Sequence, residues 1–285
     1  MHTTKSTTPC PDWATALLNG FSQVLLQRNP LCGLCCLLAI LLTAPQLVGG
    51  ALLGALAGLL TAQRRGYERA DRQTGLYSYN GVLIGILISH ALPWSALVPP
   101  LVIAAGGLSS ILVHQWLKRG STLLPAYTMP FVLIGWGVLS LPEAGLNSIS
   151  ALAHPAYGVA MGVGQIFLLD QPLAGVLILF GLFVANPKAA GWALAGSTMG
   201  GVVAYLLDEP GAGRLGLYGF NAALAAIAFS GRGLPLSGIA LLIAIVVQAA
   251  MASIPMPTLT APFVLACWCV RFAQAAPPML RRILG

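Results

Sequence analysis

The chain repeats itself. Residues 20–62 align without a gap to residues 162–204. At an offset of 142, Gln23 meets Gln165, Pro30 meets Pro172, Gly33 meets Gly175, Pro45 meets Pro187, and Gly54 and Gly58 meet Gly196 and Gly200. Further on, LYSYNGVL (76–83) answers LYGFNAAL (217–224), and AYTMPF (126–131) answers TLTAPF (258–263). A duplicated apolar chain points to two equivalent half-structures with a site at their interface.

Composition decides the surroundings of those halves. Hydrophobic residues make up 57% and charged residues 7% of the chain, where a soluble domain carries about 25% charged. The expected class is an all-α integral membrane protein. The 33 glycines and 20 prolines suit close helix packing and broken or re-entrant segments in a bilayer. Apolar stretches fall at 31–46, 48–63, 76–92, 97–117 and 122–141, and again at 173–186, 189–207, 216–231, 234–252 and 259–275. Several are shorter than the roughly 20 residues that span a bilayer, so tilt or re-entry has to make up the difference. A short stretch before each set, near 14–28 and 156–170, reads as a re-entrant pore-lining piece.

Ten crossings in two sets of five predict that the second repeat is inverted relative to the first. Charge tests this separately. Of the 14 Lys and Arg residues, all but Arg214 fall on the side of the N-terminus when the crossings are numbered in order. That asymmetry places both termini in the cytoplasm. It also accounts for the net charge of +7 without a nucleic-acid partner, since basic loops meet anionic headgroups. The expected organisation is a cytoplasmic tail (1–12) with no cleavable signal pattern, a first repeat (13–145), a second repeat (155–275) and a cytoplasmic tail (276–285).

Catalysis finds little support. The acidic residues are Asp12, Glu68, Asp71, Glu143, Asp170, Asp208 and Glu209, nearly all in expected loops, and no crossing holds a carboxylate pair for acid–base work or a proton relay. There is no GxSxG or HExxH, and the glycine-rich runs lack the strand and lysine of a phosphate loop. Cys32-x-x-Cys35 lacks the second half of a zinc site and reads as packing thiols. None of His2, His90, His114 and His154 recurs between the halves; His90 and His114 read as interfacial anchors. No metal and no cofactor are expected.

What recurs is neutral and polar. Gln23 and Gln165 hold matched places in the two re-entrant stretches, and Thr128 and Thr260 each stand two residues before Pro130 or Pro262. Glutamine and threonine offer both donors and acceptors. The prolines would open the helix beneath the threonines and free carbonyls toward a pore. A lone threonine bonding back to its own helix is the competing reading. Tyr79–Asn80 and Phe220–Asn221, followed by Leu83 and Leu224, read either as two jaws of a slot or as ordinary core. The asparagines read also as partners for a helix start.

These segments together resemble the urea transporters, a channel-like family. The likeness rests on GFSQVLLQRNPLCG and GVGQIFLLDQPLAG, on GLYSYNGVLIG and GLYGFNAALAAIA, and on the two Thr-x-Pro-Phe segments. The resemblance implies a homotrimer whose protomers each pass urea by facilitated diffusion through a narrow filter between inverted halves. On motif position it implies Gln23 and Gln165 at the outer binding levels and Thr128 and Thr260 in the constricted middle. Slot walls would come from Val24, Ile166, Tyr79, Leu83, Phe220 and Leu224. Relatives usually carry phenylalanine where this chain has Leu26 and Leu168, Tyr79 replaces another, and Leu217 stands where an aromatic sometimes sits. A wider slot would also admit short amides such as acetamide. Compactness suggests a bacterial member of the family in the inner membrane, feeding a cytosolic urease.

Overall fold

The computed structural model describes residues 12–120, 124–142, 144–145 and 157–275. The expected C-terminal tail, residues 1–11, Glu143, His154 and most of the expected junction between the halves lie outside the described residues. Every described element is helical: α1 (Asp12–Gln23), α2 (Pro30–Thr43), α3 (Val48–Arg64), α4 (Arg69–Gln73), α5 (Tyr79–Ala91), α6 (Val98–Lys118) and α7 (Met129–Leu139). These are followed by α8 (Gly158–Gly164), α9 (Pro172–Ala185), α10 (Pro187–Leu206), α11 (Pro210–Arg214), α12 (Gly219–Phe229), α13 (Leu234–Met251) and α14 (Ala261–Ala275). Each of the ten apolar stretches holds one of these helices.

The recurring prolines start helices rather than break them. Pro30 and Pro172 open α2 and α9, Pro187 opens α10, and Pro45 opens the 3-10 turn that runs into α3. The first turn has no use for the amide hydrogen that proline lacks. Asn29 caps α2 by accepting from Leu31 N and Cys32 N at 2.9 and 3.0 Å, and Asn186 caps α10 through Ala189 N at 3.2 Å.

Among the described residues four helical segments are long and apolar enough to cross a membrane: Pro45–Arg64, Val98–Lys118, Pro187–Leu206 and Leu234–Met251. Gly158–Phe167 and Pro172–Ala185 add a pair bent by 75°. Large apolar side chains are exposed along α2 (Leu34, Leu38, Leu42), α9 (Val176, Phe180, Phe183) and α13 (Ile239, Leu242, Val246). Such faces need lipid or another subunit against them. The protein is an all-α integral membrane protein with several apolar helices.

At the centre stand α5 and α12. From Tyr79 to Ile88 and from Gly219 to Ile227 every side chain is buried, as expected of helices apolar on all sides and enclosed by others. Small residues bring their neighbours to backbone contact. A methyl added to Gly54 of α3 would lie 2.1 Å from the Gly81 carbonyl of α5, and one on Gly196 of α10 would lie 2.5 Å from Ala223 N of α12. The same device joins α1 to α2, where Gly33 abuts the Leu18 carbonyl, and α8 to α9, where Gly175 abuts that of Ala160. The duplication thus reappears as duplicated packing. Between the halves α2 packs on α9, with Gly181 against the Cys32 backbone and Cys35 Cβ. His114 stacks on Tyr67 with ring centroids 3.6 Å apart and its Nδ1 lies 3.2 Å from Tyr77 Oη.

Candidate functional site

Two matched turns shape the site. The helix ending at Gln23 closes with Leu26 N donating to the Gln23 carbonyl (2.9 Å) and Gln27 N to that of Ser22 (3.1 Å). In the second half, Leu168 N donates to the Gln165 carbonyl (3.0 Å) and Leu169 N to that of Gly164 (3.2 Å). Both are Schellman closures, in which the residue at the left-handed position is ordinarily glycine. Here Leu26 and Leu168 occupy it, at φ 59° and 57°. A leucine held there carries strain of about 1 kcal/mol, and both leucines line cavities.

The Thr-x-Pro segments behave differently from expectation. α7 begins at Met129 and α14 at Ala261, so Pro130 and Pro262 sit in first turns and interrupt nothing. The irregular backbone lies before each helix, where Tyr127 and Leu259 adopt φ 40° and 47°. Nor are the carbonyls there left over. Those of Tyr127 and Leu259 accept from Asn80 Nδ2 (3.4 Å) and Asn221 Nδ2 (2.9 Å), while Asn80 Oδ1 and Asn221 Oδ1 accept from Phe131 N (3.1 Å) and Phe263 N (3.2 Å). Tyr79 Oη also donates to the Tyr127 carbonyl. Trp268 Nε1 donates to the Pro125 carbonyl (2.9 Å) and Trp136 Nε1 to that of Pro257 (3.0 Å). The two tryptophans therefore tie each half to the other reciprocally.

Two cavities result. The first, of about 310 Å³, includes Gln165, Leu168, Leu217, Phe220, Gln248, Pro257 and Leu259 in its wall. The second, of about 420 Å³, includes Gln23, Leu26, Leu76, Tyr79, Pro125 and Tyr127. Most of these residues are counterparts in the duplication: Gln165 and Gln23, Leu168 and Leu26, Leu217 and Leu76, Phe220 and Tyr79, Pro257 and Pro125, Leu259 and Tyr127. Thr128 and Thr260, buried to 2% and 3% exposure, each follow one of these wall residues directly. Their hydroxyl oxygens lie 2.6 Å apart.

Of the residues expected at a site, Gln23, Leu26 and Tyr79 therefore gather in one cavity and Gln165, Leu168, Leu217 and Phe220 in the other, with Thr128 and Thr260 paired. Val24, Ile166, Leu83 and Leu224 are buried in the core and line neither cavity. Gln23 Oε1 is buried with no hydrogen-bond partner among the described residues. Charged side chains stand in the walls: Asp170 in the first cavity, whose wall also includes His90, and Arg271 in the second. Arg271 Nε donates to Tyr127 Oη at 3.2 Å. Leu76, Trp136 and Trp268 went unremarked in the sequence, although each has a counterpart in the other half. No group of three or more His, Cys, Asp or Glu could hold a metal among the described residues.

A family model described as "UT: Urea transporter" matches residues 14–275. Among similar proteins is urea transporter 1 of the sheep, Ovis aries, 29% identical over 297 residues and covering 90% of this chain and 74% of the relative. The goat protein, Capra hircus, gives the same values. Urea transporter 1 of the mouse, Mus musculus, is 28% identical over 251 residues, covering 77% of this chain and 62% of the relative. These relatives are mammalian, which overturns the expectation of a bacterial member and of a bacterial inner membrane. Compactness of a chain carries no information about its source.

Proposed function

Because the chain belongs to the urea transporter family, we propose that it passes urea across a membrane by facilitated diffusion, through a filter joining the two cavities at the Thr128–Thr260 pair. The observation that carries this reading is the pairing itself: hydroxyls from the two halves meet at 2.6 Å, one residue from the wall of each cavity. In this reading residues 13–145 and 155–275 are inverted repeats of five crossings, and three copies assemble with one pore each. The reciprocal Trp–Pro bonds and the matched cavity walls support an exchange symmetry between the halves. The exposed apolar face of α2 and α9 gives such an assembly a surface to use.

The chemistry suits a planar neutral amide. Losing water unpaired would cost such a solute roughly 2–7 kcal/mol. Gln23 Oε1 and the threonine hydroxyls offer replacements, since a hydroxyl both donates and accepts. The leucines and aromatic rings of the walls press on its apolar faces. A cation would meet Arg271 in one cavity and an anion Asp170 in the other, so the neutral solute has the easier passage. Stopped-flow efflux from proteoliposomes tests the reading, with acetamide, glycerol and water beside urea. Urea flux well above that of empty vesicles and of glycerol is expected; flux at the empty-vesicle level would contradict it. Leu26 and Leu168 favour a second reading, a pore that passes acetamide faster than urea, which the same experiment separates.

A further inference from the structure

Gln248, on α13, is only 6% exposed and forms part of the first cavity's wall. The direction of its amide is fixed by bonds that begin at the backbone. Phe263 N can only donate, so the atom of Asn221 facing it at 3.2 Å is Oδ1. The Leu259 carbonyl can only accept, so it takes Asn221 Nδ2 at 2.9 Å. The same nitrogen reaches Gln248 at 2.9 Å, and the atom receiving it must be Oε1. Thr258 Oγ1 donates to that oxygen as well, at 3.2 Å. Gln248 Nε2 is left with two N–H donors and no acceptor among the described residues.

The second cavity has no glutamine at the matching place. The offset that pairs Thr128 with Thr260 puts Trp116 opposite Gln248, and Trp116 Nε1 donates to the Leu124 carbonyl. Asn80 makes the backbone bonds of Asn221 but finds no glutamine beyond. The duplicated glutamines Gln165 and Gln23 put one amide in each cavity, and Gln248 adds a second to the first cavity alone.

We infer that Gln248 is a specificity-determining residue whose amide donates to the carbonyl oxygen of a solute held in the first cavity. The same cavity carries an amide oxygen, on Gln165, suited to the solute's N–H groups. The inference rests on the proposed urea transport and names how that solute is recognised. It selects for a strong carbonyl acceptor, and so for urea over thiourea, whose sulfur accepts weakly.

The test compares urea and thiourea flux in proteoliposomes for wild type, Gln248→Glu and Gln248→Met. Glutamate keeps the oxygen that Asn221 and Thr258 need and, once ionised, removes the donor. At pH 9 the urea-to-thiourea flux ratio of Gln248→Glu should fall about fivefold, the worth of one lost hydrogen bond. Wild type should hold its ratio constant between pH 5 and pH 9. Gln248→Met should show the reduced ratio at both pH values. A wild-type ratio in Gln248→Glu at pH 9, with or without a change in Gln248→Met, assigns Gln248 to structure alone and overturns the inference. Wild type that passes no urea would overturn the transport reading and this one with it.

Discussion

At 2.6 Å the hydroxyls of Thr128 and Thr260 are each other's partner, and in the proposed transport a solute passing between them exchanges that bond for bonds to itself. The exchange is close to balanced, which allows binding weak enough to release. Valine at both positions keeps the shape and removes the exchange. Thr128→Val with Thr260→Val should lower urea flux by about 10-fold or more, at about 1 kcal/mol for each lost bond; flux equal to wild type would take the threonines out of the mechanism. The strained leucines are a second test at this scale. Phenylalanine at φ near 60° is no worse off than leucine there, so Leu26→Phe with Leu168→Phe should fold normally. The narrowed walls should raise the urea-to-acetamide flux ratio by several-fold, and an unchanged ratio would show that these side chains do not select. The matched glutamines and threonines were legible from the duplication. Gln248 was not, because its counterpart is a tryptophan and the role passes through Asn221.

Among elements, the short helices α7 and α14 depend on the asparagines beside them. Asn221 bonds Phe263 N, the Leu259 carbonyl and Gln248. Asn221→Leu orphans a buried amide and a buried carbonyl and should destabilise the protein by about 3 kcal/mol, read as a lowered midpoint of thermal unfolding in detergent; an unchanged midpoint would mean that the clamp holds nothing. Close packing offers a paired test. An added methyl at Gly33 would lie 1.9 Å from the Leu18 carbonyl, whereas one at Gly49 meets nothing within 4 Å. Gly33→Ala should cost about 2 kcal/mol or prevent folding, and Gly49→Ala should leave the midpoint in place. Equal midpoints would contradict the contact. The positions of the helices were legible from hydrophobicity and from recurring prolines, which mark helix starts. The start of α7 was not: apolar sequence runs on from 122, but Asn80, far away in the chain, holds Tyr127 in a left-handed turn and delays the helix to Met129.

For the whole molecule, the duplicated segments give two cavities with matched wall residues, and the two walls also differ. One carries Asp170, His90 and Gln248, the other Arg271, Trp116 and Tyr79. Duplication and hydropathy made the helical membrane class legible, and the duplicated residues pointed to the walls of both cavities. The charges in the cavity walls were not, since loop residues such as Asp170 reach the walls only through the bend between α8 and α9. No described feature couples solute movement to an ion or a nucleotide, and the account is one of passive passage. The most direct test is the final urea level in proteoliposomes under an imposed proton or sodium gradient, beside the initial rate. The account predicts fast entry that stops when internal urea equals external urea, with the same rate whether or not the gradient is present. Accumulation above the external concentration would contradict it, as would a rate no greater than that of empty vesicles.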